Sequence, residues 1–124
     1  MSGFYDGNDG QRTYQFMAAA IDAGAIFGRF QGPAGKIGRI IGIEYHLVAA
    51  TTTAATAITF DTAAGFTTPR GMSIPVAAIN LGGSATEAEL KLGNELPADT
   101  IVEATSDGGA DAGDADITVT VQWY

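Results

Sequence analysis

The clearest pattern along the chain is an alternation of apolar and polar side chains with a period of two, the mark of a strand with one buried face. It is plainest at the C-terminus, where Ile117, Val119, Val121 and Trp123 alternate with Thr118, Thr120, Gln122 and Tyr124. The spacing predicts a strand that turns its aliphatics and Trp123 inward. A longer run follows the turn signal Gly32-Pro33-Ala34-Gly35. Here Ile37, Ile41, Ile43, Tyr45 and Leu47 are assigned to one face and Lys36, Glu44 and His46 to the other. Arg39, Ile40 and Val48 break that alternation, and Gly38 and Gly42 mark places where a bulge or a crossing element can approach the backbone closely.

Shorter segments repeat the theme. Thr13 to Met17 and Ala25 to Phe30 flank the break Asp22-Ala23-Gly24; a helical turn over Met17 to Ala20 would be ended early by Gly24 and Gly28. Ala57 to Asp61 resumes the alternation after an Ala/Thr-rich stretch, Ala49 to Thr56. Ser73 to Ile79 is read as a strand carrying Pro75, which cannot donate to a ladder and so belongs at a sheet edge or a bulge; Gly82-Gly83 is read as its end. Thr86 to Leu92 is compatible with helix or strand and is assigned as strand. Pro97-Ala98-Asp99 forms a turn into a strand over Thr100 to Thr105. Seven to nine short strands with no helices between them predict an all-β domain, an antiparallel β-sandwich or jelly roll. That domain spans residues 13–124, preceded by an extended N-terminal arm, residues 1–12, punctuated by Gly3, Gly7 and Gly10.

Composition narrows the picture. The 124 residues suit a single domain, and 17 glycines favour many turns over long helices. A formal charge of −8 disfavours nucleic acid and anionic lipid as partners, and the absence of cysteine removes disulfides and thiolate chemistry. The most apolar stretch near the start, Met17 to Phe27, contains Asp22 and is too short to span a bilayer, so no membrane partner is expected. The acidic, glycine-rich opening does not resemble an export signal, and synthesis in the cytoplasm is expected.

Candidate chemistry is sparse. Asp107, Asp111, Asp114 and Asp116 lie in one Gly/Asp-rich loop and are weak candidates for calcium; their spacing is not that of an EF-hand, and turn geometry accounts for the same residues. His46 is the sole histidine, and no serine, Ser2, Ser73, Ser84 or Ser106, sits in a nucleophile-elbow context. Glu44, Glu87, Glu89, Glu95 and Glu103 could in principle supply a glycosidase pair, but strand faces exposed to water explain them more simply. Arg29, Lys36, Arg39 and Arg70 are expected to pair with the abundant carboxylates. The chain is therefore read as a non-enzyme without a cofactor. Aromatic enrichment at interfaces nominates Phe4, Tyr5, Tyr14 and Phe16 as partner-contacting residues. An alternative is a carbohydrate-binding, lectin-like sandwich, with Tyr14, Tyr45, Trp123 or Tyr124 as stacking platform and calcium at the acidic loop.

Two segments carry a family resemblance: Gly35-Lys36-Ile37-Gly38-Arg39-Ile40-Ile41-Gly42-Ile43, and Leu96-Pro97-Ala98-Asp99-Thr100-Ile101-Val102 followed by the Gly/Asp loop and Asp116 to Tyr124. With the Ala/Thr-rich stretch between them, the chain resembles the small β-sandwich decoration, or cement, proteins on the heads of tailed bacteriophages. The resemblance implies a structural virion protein on the capsid surface that binds the major capsid protein and clamps neighbouring capsomers. It also implies a homo-oligomer, commonly a homotrimer.

Overall fold

A computed structural model describes residues 10–61, 70–86 and 95–124, and among them there is no helix. The described residues form nine strands in order: β1 (Gln11–Ala20), β2 (Ile26–Phe30), β3 (Gly38–Thr52), β4 (Thr56–Asp61), β5 (Arg70–Ile74), β6 (Gly82–Thr86), β7 (Glu95–Leu96), β8 (Val102–Ser106) and β9 (Ala112–Trp123). They form two antiparallel sheets packed as a sandwich. One runs β1-β9-β3-β6, with the short β7 also on β3; the other runs β2-β8-β4-β5.

The predicted alternation of β9 holds along its length. Ile117, Val119 and Val121 are fully buried and Trp123 is 4% exposed, while Tyr124 is left in solvent. The strand also begins earlier than the sequence suggested, at Ala112, so Asp114 and Asp116 lie on its outer face and only Asp107 and Asp111 remain in the loop. Facing β9 across the sandwich, β4 buries Thr56, Ile58 and Phe60, and β8 buries Val102, Ala104 and Ser106.

β3 corrects the sequence reading. Its pairing with β9 shifts register between Ile40 and Gly42, so an extra residue is accommodated there. Upstream of this bulge the even-numbered Ile40 points into the core; downstream the odd-numbered Ile43, Tyr45 and Leu47 do. Ile41 is consequently only half-buried, and Ile37, placed inward by simple alternation, lies before the strand and is exposed. Arg70–Ile74 is an edge strand as Pro75 required, but the proline ends it instead of interrupting it. Gly82-Gly83 open a strand where they were expected to close one. The helix-or-strand assignment beyond Thr86, residues 87–92, lies outside the described residues. So does most of the proposed arm, of which Gln11 and Arg12 already belong to β1.

Trp123 closes one end of the core. Its Nε1 donates to the Tyr14 hydroxyl at 3.0 Å, and the Tyr14 ring stacks on Phe30 with centroids 4.2 Å apart. The indole lies directly over the backbones of Gly32 and Gly38: a Cβ on either would come within 2.5 Å of ring carbons. Gly38→Ala should therefore destabilise the fold by about 1–3 kcal/mol through overpacking. In a Trp123→Leu background the same substitution should cost much less, which chemical denaturation of the two single variants and the double variant will measure.

Candidate interaction surface

Most of the side chains nominated for function are used to hold the sandwich together. Tyr14 is committed to Phe30 and Trp123. Phe16, also half-buried, meets Phe27 edge-on at 5.6 Å and lies against the backbone of Gly28. Phe4 and Tyr5 lie outside the described residues. Of the four rings suggested as a sugar-stacking platform, Trp123 and Tyr45 are buried and Tyr14 is stacked internally; Tyr124 is exposed. Its hydroxyl donates to Glu95 Oε2 at 3.1 Å.

The acidic residues are likewise employed one at a time. Asp107 Oδ1 accepts from the backbone N–H of Ala57 and of Gly109, each at 2.9 Å, and from the Thr56 hydroxyl at 3.0 Å. These donors, the Ala57 amide foremost, hold the Asp107 carboxyl below the ordinary carboxylate range. The Thr56 hydroxyl is buried and also lies 2.9 Å from the carbonyl of Ile21, so the first residue of β4 links the β1–β2 and β8–β9 connections. Asp111 accepts from Thr53 Oγ1 at 2.7 Å. Asp116 accepts at 2.7 Å from the N–H of Ala18, which has φ 49° in the β1 bulge. Among the described residues no three His, Asp or Glu side chains gather into a metal-binding group.

The remaining candidates are dispersed. His46 is exposed on the outer face of β3, opposite Asp116 of β9. Ser106 is buried and its hydroxyl donates to the carbonyl of Ala23; Ser73 and Ser84 are exposed. Glu103 pairs with Arg29 at 3.1 Å, as expected for the basic residues. A shallow depression between β4 and β5, lined by Ala57, Ile58, Thr59, Gly71, Met72 and Ser73, offers hydroxyls but no ionisable group.

What the sequence reading did not single out is the β5–β6 connection, residues 75–81. Val76, Ile79 and Leu81 are 53%, 55% and 53% exposed, yet the segment is firmly attached. Thr51, itself 2% exposed, donates from its hydroxyl to the carbonyl of Pro75 and accepts there from the N–H of Ala77, both at 2.7 Å. Its backbone N–H donates to the carbonyl of Ala77 at 3.1 Å, and Leu47 exchanges backbone bonds with Asn80 and Leu81 at 2.8 Å. Asn80 adopts φ 71°, a left-handed conformation that Asn tolerates better than most residues. An asparagine between two aliphatics after a proline is the signal that favours a shaped connection over a continued strand.

Because the Asp107 carboxylate is favoured in the folded state, its contribution to stability is present above its unfolded value near 3.8 and is lost as pH falls through the lower folded value. Asp107→Asn should melt below the parent at pH 7, and the gap should close as the pH is taken below about 3.8, followed by circular dichroism. Thr56→Val should cost about 1 kcal/mol through the lost hydrogen bond.

No family model matches the chain, and no curated protein does. Among solved structures it is similar to a chain of the structure of infectious bursal disease virus Gx strain, with a TM-score of 0.35 and 15% identity. The likeness covers 91% of this chain and 32% of that one, so this chain spans about a third of the other's length.

Proposed function

We propose that this protein is a structural component of a virus particle, a decoration protein that binds the outside of a phage head and braces neighbouring capsomers. The observation that carries this reading is where large apolar side chains meet solvent. Met17 and Ile26 stand on the β1–β2 side, Val76, Ile79 and Leu81 on the opposite, β5–β6 side, and Ile37, Ile101 and Tyr124 around the end closed by Trp123. A protein that grips one ligand needs one such patch. A subunit wedged among several neighbours needs them on several sides. The resemblance at residues 35–43 and 96–124 supplies the specific setting, with the major capsid protein as partner and the particle surface as location. Modest contacts at each copy, repeated over a shell, would add up through avidity.

Heads carrying the chain should survive heat and osmotic shock that empty heads assembled without it, and difference density should lie outside the shell in electron micrographs. Equal resistance of the two preparations, with no added outer density, would overturn the reading.

A further inference from the structure

The edge strands among the described residues are not equivalent, and the two-residue β7, which shares β3's edge with β6, carries Glu95. β1 is bulged at Met17 and Ala18 and carries Arg12. β2 shifts register between Ile26 and Gly28 and carries the exposed Arg29. β5 runs directly into Pro75. Bulges, charges and prolines are the usual devices that stop an edge from recruiting another strand. β6 has none of them. Its residues Gly82 to Thr86 run in unbroken register against His46 to Gly42 of β3, contain no charge and no proline, and among the described residues pair with β3 alone.

Charge is distributed to match. The whole formal charge of −8 arises within residues 87–124, which hold nine of the fourteen acidic residues and one of the six basic ones. Residues 71–86, comprising most of β5, the aliphatic connection and β6, hold no charged residue. Two copies of so acidic a chain repel one another, and this is the stretch through which they meet with least penalty. Val76, Ile79 and Leu81 stand in the connection leading into that edge, already fixed by Thr51 and Leu47, so little ordering is needed on contact.

We propose that β6 and the 75–81 connection form a two-fold contact with a second copy of this chain, β6 pairing antiparallel with its counterpart while Val76, Ile79 and Leu81 are covered. An uncharged strand is suited to pair with itself about a two-fold axis, because no like charges are brought opposite one another. The contact is independent of any shell, so its fate in purified protein is separable from that of the decoration role. It also differs from the trimer that the family resemblance implies.

Sedimentation equilibrium of the full chain should show a monomer–dimer equilibrium that tightens as salt is raised, since screening relieves repulsion and breaks no ion pair. Ile79→Glu/Leu81→Glu should weaken it at least about tenfold. Met17→Glu, a comparably exposed apolar site on the β1 bulge, should leave it within about twofold. Independently of any variant, amide hydrogen exchange at Gly82 to Thr86 should slow as the parent protein is concentrated. The proposal falls if the parent stays monomeric or forms only trimers, if β6 exchange does not respond to concentration, if salt weakens association, or if Met17→Glu is as damaging as the double variant.

Discussion

The pairing of β3 with β9 is the constraint on which the rest of the structure depends. These are the two longest strands, adjacent at the centre of the larger sheet and registered from Gly38 opposite Trp123 to Thr52 opposite Ala112. Between them they supply Ile40, Ile43, Tyr45, Leu47, Ala115, Ile117, Val119, Val121 and Trp123 to the core. Every other element is placed by reference to them. β1 and β6 flank them, β7 caps the end near Trp123, and the smaller sheet closes over the face they present. Because side chains alternate strictly, a slip of one residue in this pairing would exchange an aliphatic face for one of Thr, Gln and Asp. Burial on that scale fixes the register without help from any specific polar contact.

Polar groups act at the ends of this ladder, where alternation stops. Asp107 and Thr56 tie the β1–β2 and β8–β9 connections to the start of β4. Thr51 holds the β5–β6 connection to β3, and Asp116 occupies the amide turned out of line by the β1 bulge. Each satisfies backbone groups that irregular chain would otherwise leave without partners. The same economy explains why a chain so rich in aspartate gathers no metal-binding cluster among the described residues: Asp107, Asp111 and Asp116 are each drawn to a separate amide or hydroxyl.

Strands with unbroken alternation were legible in the sequence, and irregular ones were not. β9 and β4 could be read residue by residue, since Thr118, Thr120 and Thr59 leave no doubt about which face is wet. In β3 the clue was present in misplaced Ile40 and in Gly42, but a bulge is a property of two strands, and one strand's sequence does not say where its partner has a residue fewer. The fate of Tyr14 and Phe16 was hidden for a similar reason. An aromatic ring at an edge strand is equally suited to a neighbour or to the core, and the stacking on Phe30 and Phe27 depends on how β2 crosses to the other sheet. Thr51 was concealed in an Ala/Thr stretch of uniform appearance, where only burial separates it from Thr52 and Thr53.

The distribution of exposed aliphatics constrains how such a domain can meet its neighbours. The outer face of the large sheet is a grid of Thr13, Gln15, Thr118, Thr120, Gln122, Glu44 and Ser84, and that of the small sheet carries Arg29, Glu103, Thr105 and Thr59. Large exposed apolar groups occur at the strand edges and in the connections, at Met17, Ile26, Ile37, Val76, Ile79, Leu81, Ile101 and Tyr124. Among the described residues the exposed apolar surface therefore lies mainly along the sides and at the ends of the sandwich, with Ile26 beside Thr105 at the margin of the small sheet. Side-on contact lets one copy touch several neighbours without being buried by any of them. A ligand-binding sandwich that works through a sheet face would place its apolar and aromatic groups the other way round.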